Sequence, residues 1–176
     1  LRNHVLSIAL LTISDSRSLE NDPSGDQLQQ RLTAAGHQLH ARARCPDDRY
    51  RIRAAVSQWI AEPDIDVVIT TGGTGLTGRD GSPEAISPLL DKTIDGFGEL
   101  FRVLSFETIG TSTLQSRCLA GVANGTFLFV LPGSVDAVST AWDRLIAAQL
   151  NAETRPCNLV QLRDRLKEPH DKPADH

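Results

Sequence analysis

The run Asp66-Val67-Val68-Ile69 passes into Thr70-Thr71-Gly72-Gly73-Thr74-Gly75-Leu76-Thr77-Gly78-Arg79-Asp80-Gly81 and then into Ser82-Pro83-Glu84. The first run is short, apolar and β-branched, the pattern of a buried parallel strand. Ser82-Pro83-Glu84 reads as a helix start, with serine at the N-cap, proline at N1 and an acid in the first turn. Between them lies a loop rich in glycine and threonine. Glycine lets the main chain approach a ligand closely and take positive φ, and the threonine hydroxyls add neutral hydrogen bonds. Such a loop presents backbone N–H groups to an anion, so phosphate chemistry is the first inference. Asp80, at the loop's exit, is the natural acid beside it.

Gly73-Thr74-Gly75-Leu76-Thr77-Gly78 also matches the dinucleotide fingerprint G-x-G-x-x-G. Its position argues against a nicotinamide site. The fingerprint belongs in the first strand-to-helix turn, whereas two other strands and two helical segments precede this one. Its third glycine should also lie inside the helix, and here Ser82-Pro83 starts the helix later. No G-K-[ST] follows, so this is not a P-loop.

The rest of the chain alternates in the same manner. Val5–Ser14 predicts a central strand. Asp22-Pro23-Ser24-Gly25-Asp26-Gln27 predicts a helix start, with Ser24 and Gln27 at capping-box spacing. Leu28, Leu32 and Ala35 form that helix's apolar stripe, and Gly36 stops it. His37–Cys45 reads as a more polar strand near an edge. Asp47 or Asp48 caps the next helix, in which Ile52, Ala55, Val56, Trp59 and Ile60 recur at helical period until Pro63. Phe97, Leu100, Phe101 and Leu104 repeat that period. Thr126–Leu131 is a further buried strand, followed by Pro132-Gly133-Ser134, with Ser134 capping a helix that carries Val135, Val138, Trp142, Leu145 and Ile146.

This order predicts a single α/β domain, a doubly wound, mostly parallel sheet flanked by helices in three layers. Ligands of such sheets sit outside the carboxyl ends of the strands. Ser14-Asp15-Ser16, Thr70–Gly81 and Pro132-Gly133-Ser134 end three strands and are expected to share one site. Domain limits are placed at 1–157, with 158–176 a C-terminal tail, partly disordered, where Pro169 and Pro173 lie amid charges.

A length of 176 residues suits one domain with a proper core, and a net charge of −4 offers no basic surface for nucleic acid. Cys45, Cys118 and Cys157 are odd in number and widely spaced, which fits a reducing cytoplasm better than disulfides. His4, His37, His40, His170 and His176 make no zinc-ligand spacing with them. No apolar run reaches membrane-spanning length, and the first residues read as a strand rather than a signal peptide. Leu1 stands first in a chain without methionine, so a few native residues are expected ahead of it.

The glycine loop with Asp80, the early Ser24-Gly25, Pro46-Asp47-Asp48 and Leu131-Pro132-Gly133-Ser134 occur in the order found in the MoaB/MogA family of molybdenum-cofactor biosynthesis. Asp95-Gly96-Phe97-Gly98-Glu99-Leu100-Phe101-Arg102-Val103-Leu104-Ser105-Phe106 and Ile109-Gly110-Thr111-Ser112-Thr113-Leu114-Gln115-Ser116-Arg117 resemble the MoaB branch in particular. The resemblance spans about Val5 to Cys157. The loop alone also occurs in relatives such as the molybdenum insertase and domains associated with nicotinamide-nucleotide amidohydrolases.

The resemblance implies adenylation of molybdopterin by ATP with release of pyrophosphate. It makes Asp80 and Asp47 the catalytic aspartates and the carboxylates that hold Mg2+. It assigns substrate binding to Ser14, Ser24, Gly25, Gly72, Gly73, Thr74, Gly75, Ser112, Pro132, Gly133 and Ser134. It implies a trimer, or for the MoaB branch a hexamer of two trimers, working with other enzymes of the pathway. Some members of that branch lack the loop-exit aspartate, and this chain keeps it. A non-catalytic molybdopterin- or nucleotide-binding homologue is the alternative, with an amidohydrolase-type relative third. Residue type alone leaves Asp47 divided between capping and catalysis, and Arg79 between phosphate contact and plain surface. Asp80 lies too early to cap the Ser82 helix, which favours a function for it. Trp59 and Trp142 read as core, Cys45 and the Phe97–Leu104 stripe as core or subunit contacts.

Overall fold

The computed structural model describes residues 4–169. Six strands, β1 (Ser7–Ile13), β2 (Gln38–Cys45), β3 (Val67–Thr71), β4 (Lys92–Thr93), β5 (Leu119–Ala123) and β6 (Thr126–Leu131), form one sheet in the order β2-β1-β3-β6-β5-β4. The first four in that order run parallel, β5 runs antiparallel to β6, and β4 runs antiparallel to β5, so β5 alone is reversed among these strands. Helices α1 (Pro23–Ala34), α4 (Asp95–Ile109) and α5 (Val135–Ala141) cover one face, and α2 (Arg49–Ala61) and α3 (Ser82–Ile86) cover the other. The last helix continues from α5 through a π-turn at Trp142–Ile146 into α6 (Ala147–Gln149).

Strand β3 shows why the sheet must be covered twice. All five of its residues are buried, with Val67 and Ile69 in the core under α1, α4 and α5, and Val68 in the core under α2 and α3. Side chains of a strand alternate between faces, so an unbroken apolar run serves two cores. Ile52 and Val56 of α2 are fully buried on the second face, each worth about 1.5–3 kcal/mol on removal from water. Ala55, Trp59 and Ile60 pack partly against that core, and Trp142 is buried in the other.

Several local expectations are corrected. Strands β4 and β5 are additions to the predicted set. Strand β5 turns back on β6 through Asn124-Gly125, both at positive φ (48° and 79°), the two-residue hairpin geometry those residue types favour, and β4 pairs on β5's outer edge. Asp22, not Ser24, caps α1, accepting from the Gly25 N–H. Pro23 occupies the first turn, so the capping acid has to precede it and Ser24 falls inside the helix. Gly81 rather than Ser82 stands at the N-cap of α3, because the Ser82 hydroxyl donates instead to the Gly72 carbonyl at 2.7 Å. The Phe97–Leu104 stripe divides. Phe97 and Phe101 are buried, whereas Leu100 is 55% and Phe106 58% exposed.

Residues 158–169, placed in the expected tail, lie against the domain. Val160 is buried, Leu159 and Leu166 pack on the core, and Arg163 pairs with Asp66 at 2.6 Å. Residues 170–176, where disorder was expected, fall outside the described residues.

Candidate active site

The parallel strands β1, β3 and β6 end side by side, with Thr12 opposite Thr71 and Thr71 opposite Leu131. The loops that follow them therefore meet, as do the start of α2 and the end of β2. Register alone brings the three predicted loops together.

The glycine loop is braced from its first residue. The Gly72 N–H donates to the Leu131 carbonyl at 3.0 Å, so this amide is spent on the fold and is not part of an anion cradle, contrary to expectation. Thr71 Oγ1 donates to the Pro132 carbonyl at 2.8 Å, which ties the same turn to the end of β6. Gly72 and Gly73 take φ of +105° and +70°, which requires glycine. A Cβ on Gly72 would lie 2.2 Å from the Ile13 carbonyl oxygen. The N–H groups of Gly73 and Thr74 make no hydrogen bond to another described residue. These two amides, with the buried Thr74 side chain beside them, are open to a ligand.

Asp48 caps α2, accepting from the Tyr50 and Arg51 N–H groups, and this resolves the ambiguity between the two neighbouring aspartates. Asp47 is thereby released to face the loop, where its carboxylate accepts from the Gly81 N–H at 3.1 Å. Only 9% exposed, Asp47 has its pKa raised, first by burial and then by the charges of Asp80 and Asp15, while the Gly81 bond acts the other way. Asp80 is the counterpart. Its Oδ2 accepts from Thr77 Oγ1 at 2.7 Å and from the Thr77 N–H at 3.0 Å. These bonds, the Gly75 amide and the Arg117 charge hold its pKa below the ordinary carboxylate range. Two carboxylates from distant parts of the chain thus flank one loop, one desolvated and one tightly hydrogen-bonded.

Other expected binding residues are placed differently. Ser24 and Gly25 are buried. The Ser24 hydroxyl donates to the Gly133 carbonyl at 2.7 Å, and a Cβ on Gly25 would strike the Asp22 carboxylate. They pack α1 onto the β6–α5 turn. Ser14 Oγ accepts from the Ser16 and Arg17 N–H groups and so shapes the turn after β1. Ser134 caps α5 by accepting from the Ala137 N–H, and Pro132 and Gly133 contribute carbonyls to the bracing rather than donors. Ser112 is exposed in the 3-10 segment Gly110–Gln115, with no hydrogen bond to the glycine loop among the described residues.

Three residues without a predicted role join the site. Asp15 receives the Asp47 N–H at 3.0 Å and pairs with Arg79 at 2.7 and 3.0 Å, linking the β1–α1 turn to the glycine loop. Arg17 donates to the Gly133 carbonyl at 3.1 Å. Arg117 reaches the Thr74 and Gly75 carbonyls from 42 residues or more away in sequence. A strand-end position was a usable signal for Asp15. Nothing local marks Arg117.

No group of three or more His, Cys, Asp or Glu side chains arranged for a metal exists among the described residues. The donor set nevertheless suits Mg2+, which keeps several waters and takes one or two protein carboxylates together with substrate phosphate. No helix is long and apolar enough to cross a membrane among those residues.

A doubly wound sheet whose braced glycine loop and two flanking carboxylates gather beyond the carboxyl ends of its strands defines the class of α/β domain in which a ligand site lies at that edge. The chain belongs to the MoaB/MogA family of molybdenum-cofactor biosynthesis proteins: residues 9–152 match the family described as "Probable molybdopterin binding domain". It is 56% identical over 151 residues to molybdenum cofactor biosynthesis protein B of Escherichia coli K12, covering 86% of this chain and 89% of that protein. A crystal structure of a molybdenum cofactor biosynthesis protein B superposes with a TM-score of 0.83 at 39% identity, covering 92% and 96% of the two chains. The tungsten cofactor synthesizing protein MoaB from Pyrococcus furiosus gives 0.73 at 34% identity, over 81% of this chain and 91% of that one.

Proposed function

We propose that this chain adenylates molybdopterin. A terminal phosphate oxygen of the pterin attacks the α-phosphorus of ATP, the bond to the bridging oxygen breaks, and pyrophosphate leaves. Such transfers need positioning and charge neutralisation more than covalent help from the protein. The observation that carries the reading is the pair Asp47 and Asp80, neither used as a helix cap, beside the uncommitted Gly73 and Thr74 amides. Those amides hold phosphate oxygens. Asp47 and Asp80 would hold Mg2+, which supplies charge neutralisation between the phosphates when bound. Arg79 and Asp15 span the mouth of the site. We take the working form to be an assembly of several copies, through the exposed apolar side of α4.

The test is incubation with molybdopterin, ATP and Mg2+, reading adenylyl-molybdopterin and pyrophosphate. Asp80→Asn preserves shape and removes charge. Its turnover should fall roughly 100-fold or more, with the melting temperature and molybdopterin affinity retained. Wild-type turnover in Asp80→Asn would remove Asp80 from the chemistry. A native protein that binds molybdopterin without turnover would instead be a carrier of the pterin.

A further inference from the structure

One guanidinium organises the outer side of the glycine loop. Arg117 Nε donates to the Thr74 carbonyl at 3.3 Å and the Gly75 carbonyl at 3.0 Å, and Nη2 to the Gly75 carbonyl at 2.6 Å. Nη2 also lies 3.5 Å from the Asp80 carbonyl. The Glu84 carboxylate at the start of α3 pairs with Nη1 and fixes the fork from its other side.

The consequence follows from peptide geometry. In a trans peptide the carbonyl and the N–H point in opposite directions. Drawing the Thr74 carbonyl toward Arg117 therefore turns the Gly75 N–H to the inner side, where it faces the Asp80 carboxylate. The proximity is independently visible in the packing, since a Cβ on Gly75 would lie 2.6 Å from Asp80 Oδ2. Drawing in the Gly75 carbonyl likewise turns the Leu76 N–H away from Arg117. A planar five-donor fork suits several carbonyls at once, which an ammonium does not.

We propose that Arg117 is a positioning residue for this site, setting the Asp80 carboxylate and the Gly75 and Leu76 amides through the Thr74–Gly75 and Gly75–Leu76 peptides. The inference rests on the reading that Asp80 and the loop serve substrate. Arg117 itself touches neither substrate nor metal. It enters from the connection between the 3-10 segment after α4 and β5, so the placement of that distant segment sets the loop.

The full-length protein carrying Arg117→Lys tests this. Charge is kept while the fork is lost. Hydrogen exchange, read by mass spectrometry on peptides spanning residues 70–81, should accelerate about tenfold or more in that loop, with the melting temperature retained. In the adenylation assay kcat should fall at least about tenfold while KM for Mg-ATP stays within about twofold, the signature of lost alignment rather than lost binding. Glu84→Gln should show the same pattern, weaker. Unchanged exchange in the loop overturns the proposal whatever the activity does. So does a fall in melting temperature with kcat and KM moving together, which marks a merely structural residue. Accelerated loop exchange in a protein whose native form shows no turnover upholds the positioning role and refutes the reaction instead.

Discussion

Glycines 72 and 75 stand three residues apart and are needed for opposite reasons. Gly72 sits at φ +105° with the Ile13 carbonyl where a Cβ would go, so a side chain there collides with backbone that cannot yield. Gly72→Ala should cost more than about 2 kcal/mol in urea unfolding. Gly75 is not at positive φ; its missing side chain makes space for the Asp80 carboxylate. Gly75→Val should leave the melting temperature within a few degrees and weaken molybdopterin binding about tenfold or more, measured by calorimetry. An unchanged dissociation constant would move the pocket elsewhere. A count of glycines in the sequence does not separate these two roles, because φ and the nearest atom belong to the folded loop. The two aspartates divide in the same way. Asp47 and Asp48 are equivalent as residue types, and only the helix geometry, which gives the cap to Asp48, leaves Asp47 facing Gly81.

Among elements, α1 depends on one buried acid. Asp22 caps the helix at the Gly25 N–H, accepts from the Thr12 hydroxyl on β1 and pairs with Arg42 on β2 at 3.2 Å. The carboxylate is fully buried and the Arg42 side chain 16% exposed, so water compensates little when either partner is lost. Asp22→Ala should destabilise by about 2 kcal/mol in urea unfolding, from the lost cap and the lost buried partner together, while Arg42 keeps Asp26 at 2.8 Å and Gln29 at 2.9 Å. Asp22→Asn keeps the capping oxygen and should lose less. A cost below about 1 kcal/mol for Asp22→Ala would reduce the residue to a cap alone. Elements with strong local patterns were legible in the sequence. Thr126–Leu131 coincides with the predicted strand, β3 prolongs the predicted run Asp66-Val67-Val68-Ile69 through Thr70 and Thr71, and α2 carries the predicted stripe. The missed strands are short and weakly patterned, with β4 only two residues long and β5 built from Leu, Ala, Gly and Val. Asn124-Gly125 was the readable sign of that hairpin.

At the scale of the molecule, the outer side of α4 and the segment after it remain apolar. Leu100, Val103, Phe106 and Ile109 follow at three-residue intervals with 53–60% exposure, and Leu114 reaches 79%. A cluster of large exposed side chains of this kind is typical of a surface that meets another chain, and closed symmetry would cover it without leaving a free copy. Light scattering at micromolar concentration should give a multiple of 19.1 kDa, either a trimer or a pair of trimers. A monomeric mass would end the assembly proposal, and Phe106→Glu should dissociate an assembly that uses this face. Sequence by itself determined the alternation of buried strands and amphipathic helices, the glycine loop between β3 and α3 and the family, because these rest on local periodicity and on contiguous motifs. Tertiary structure decided which aspartate is free, which glycine amide is spent on the fold, that Ser24 and Gly25 are packing residues, and that Arg117 governs the loop. Each of those depends on a hydrogen bond or a close contact, some between groups dozens of residues apart, and a buried donor takes whichever acceptor the packed sheet brings within 3 Å.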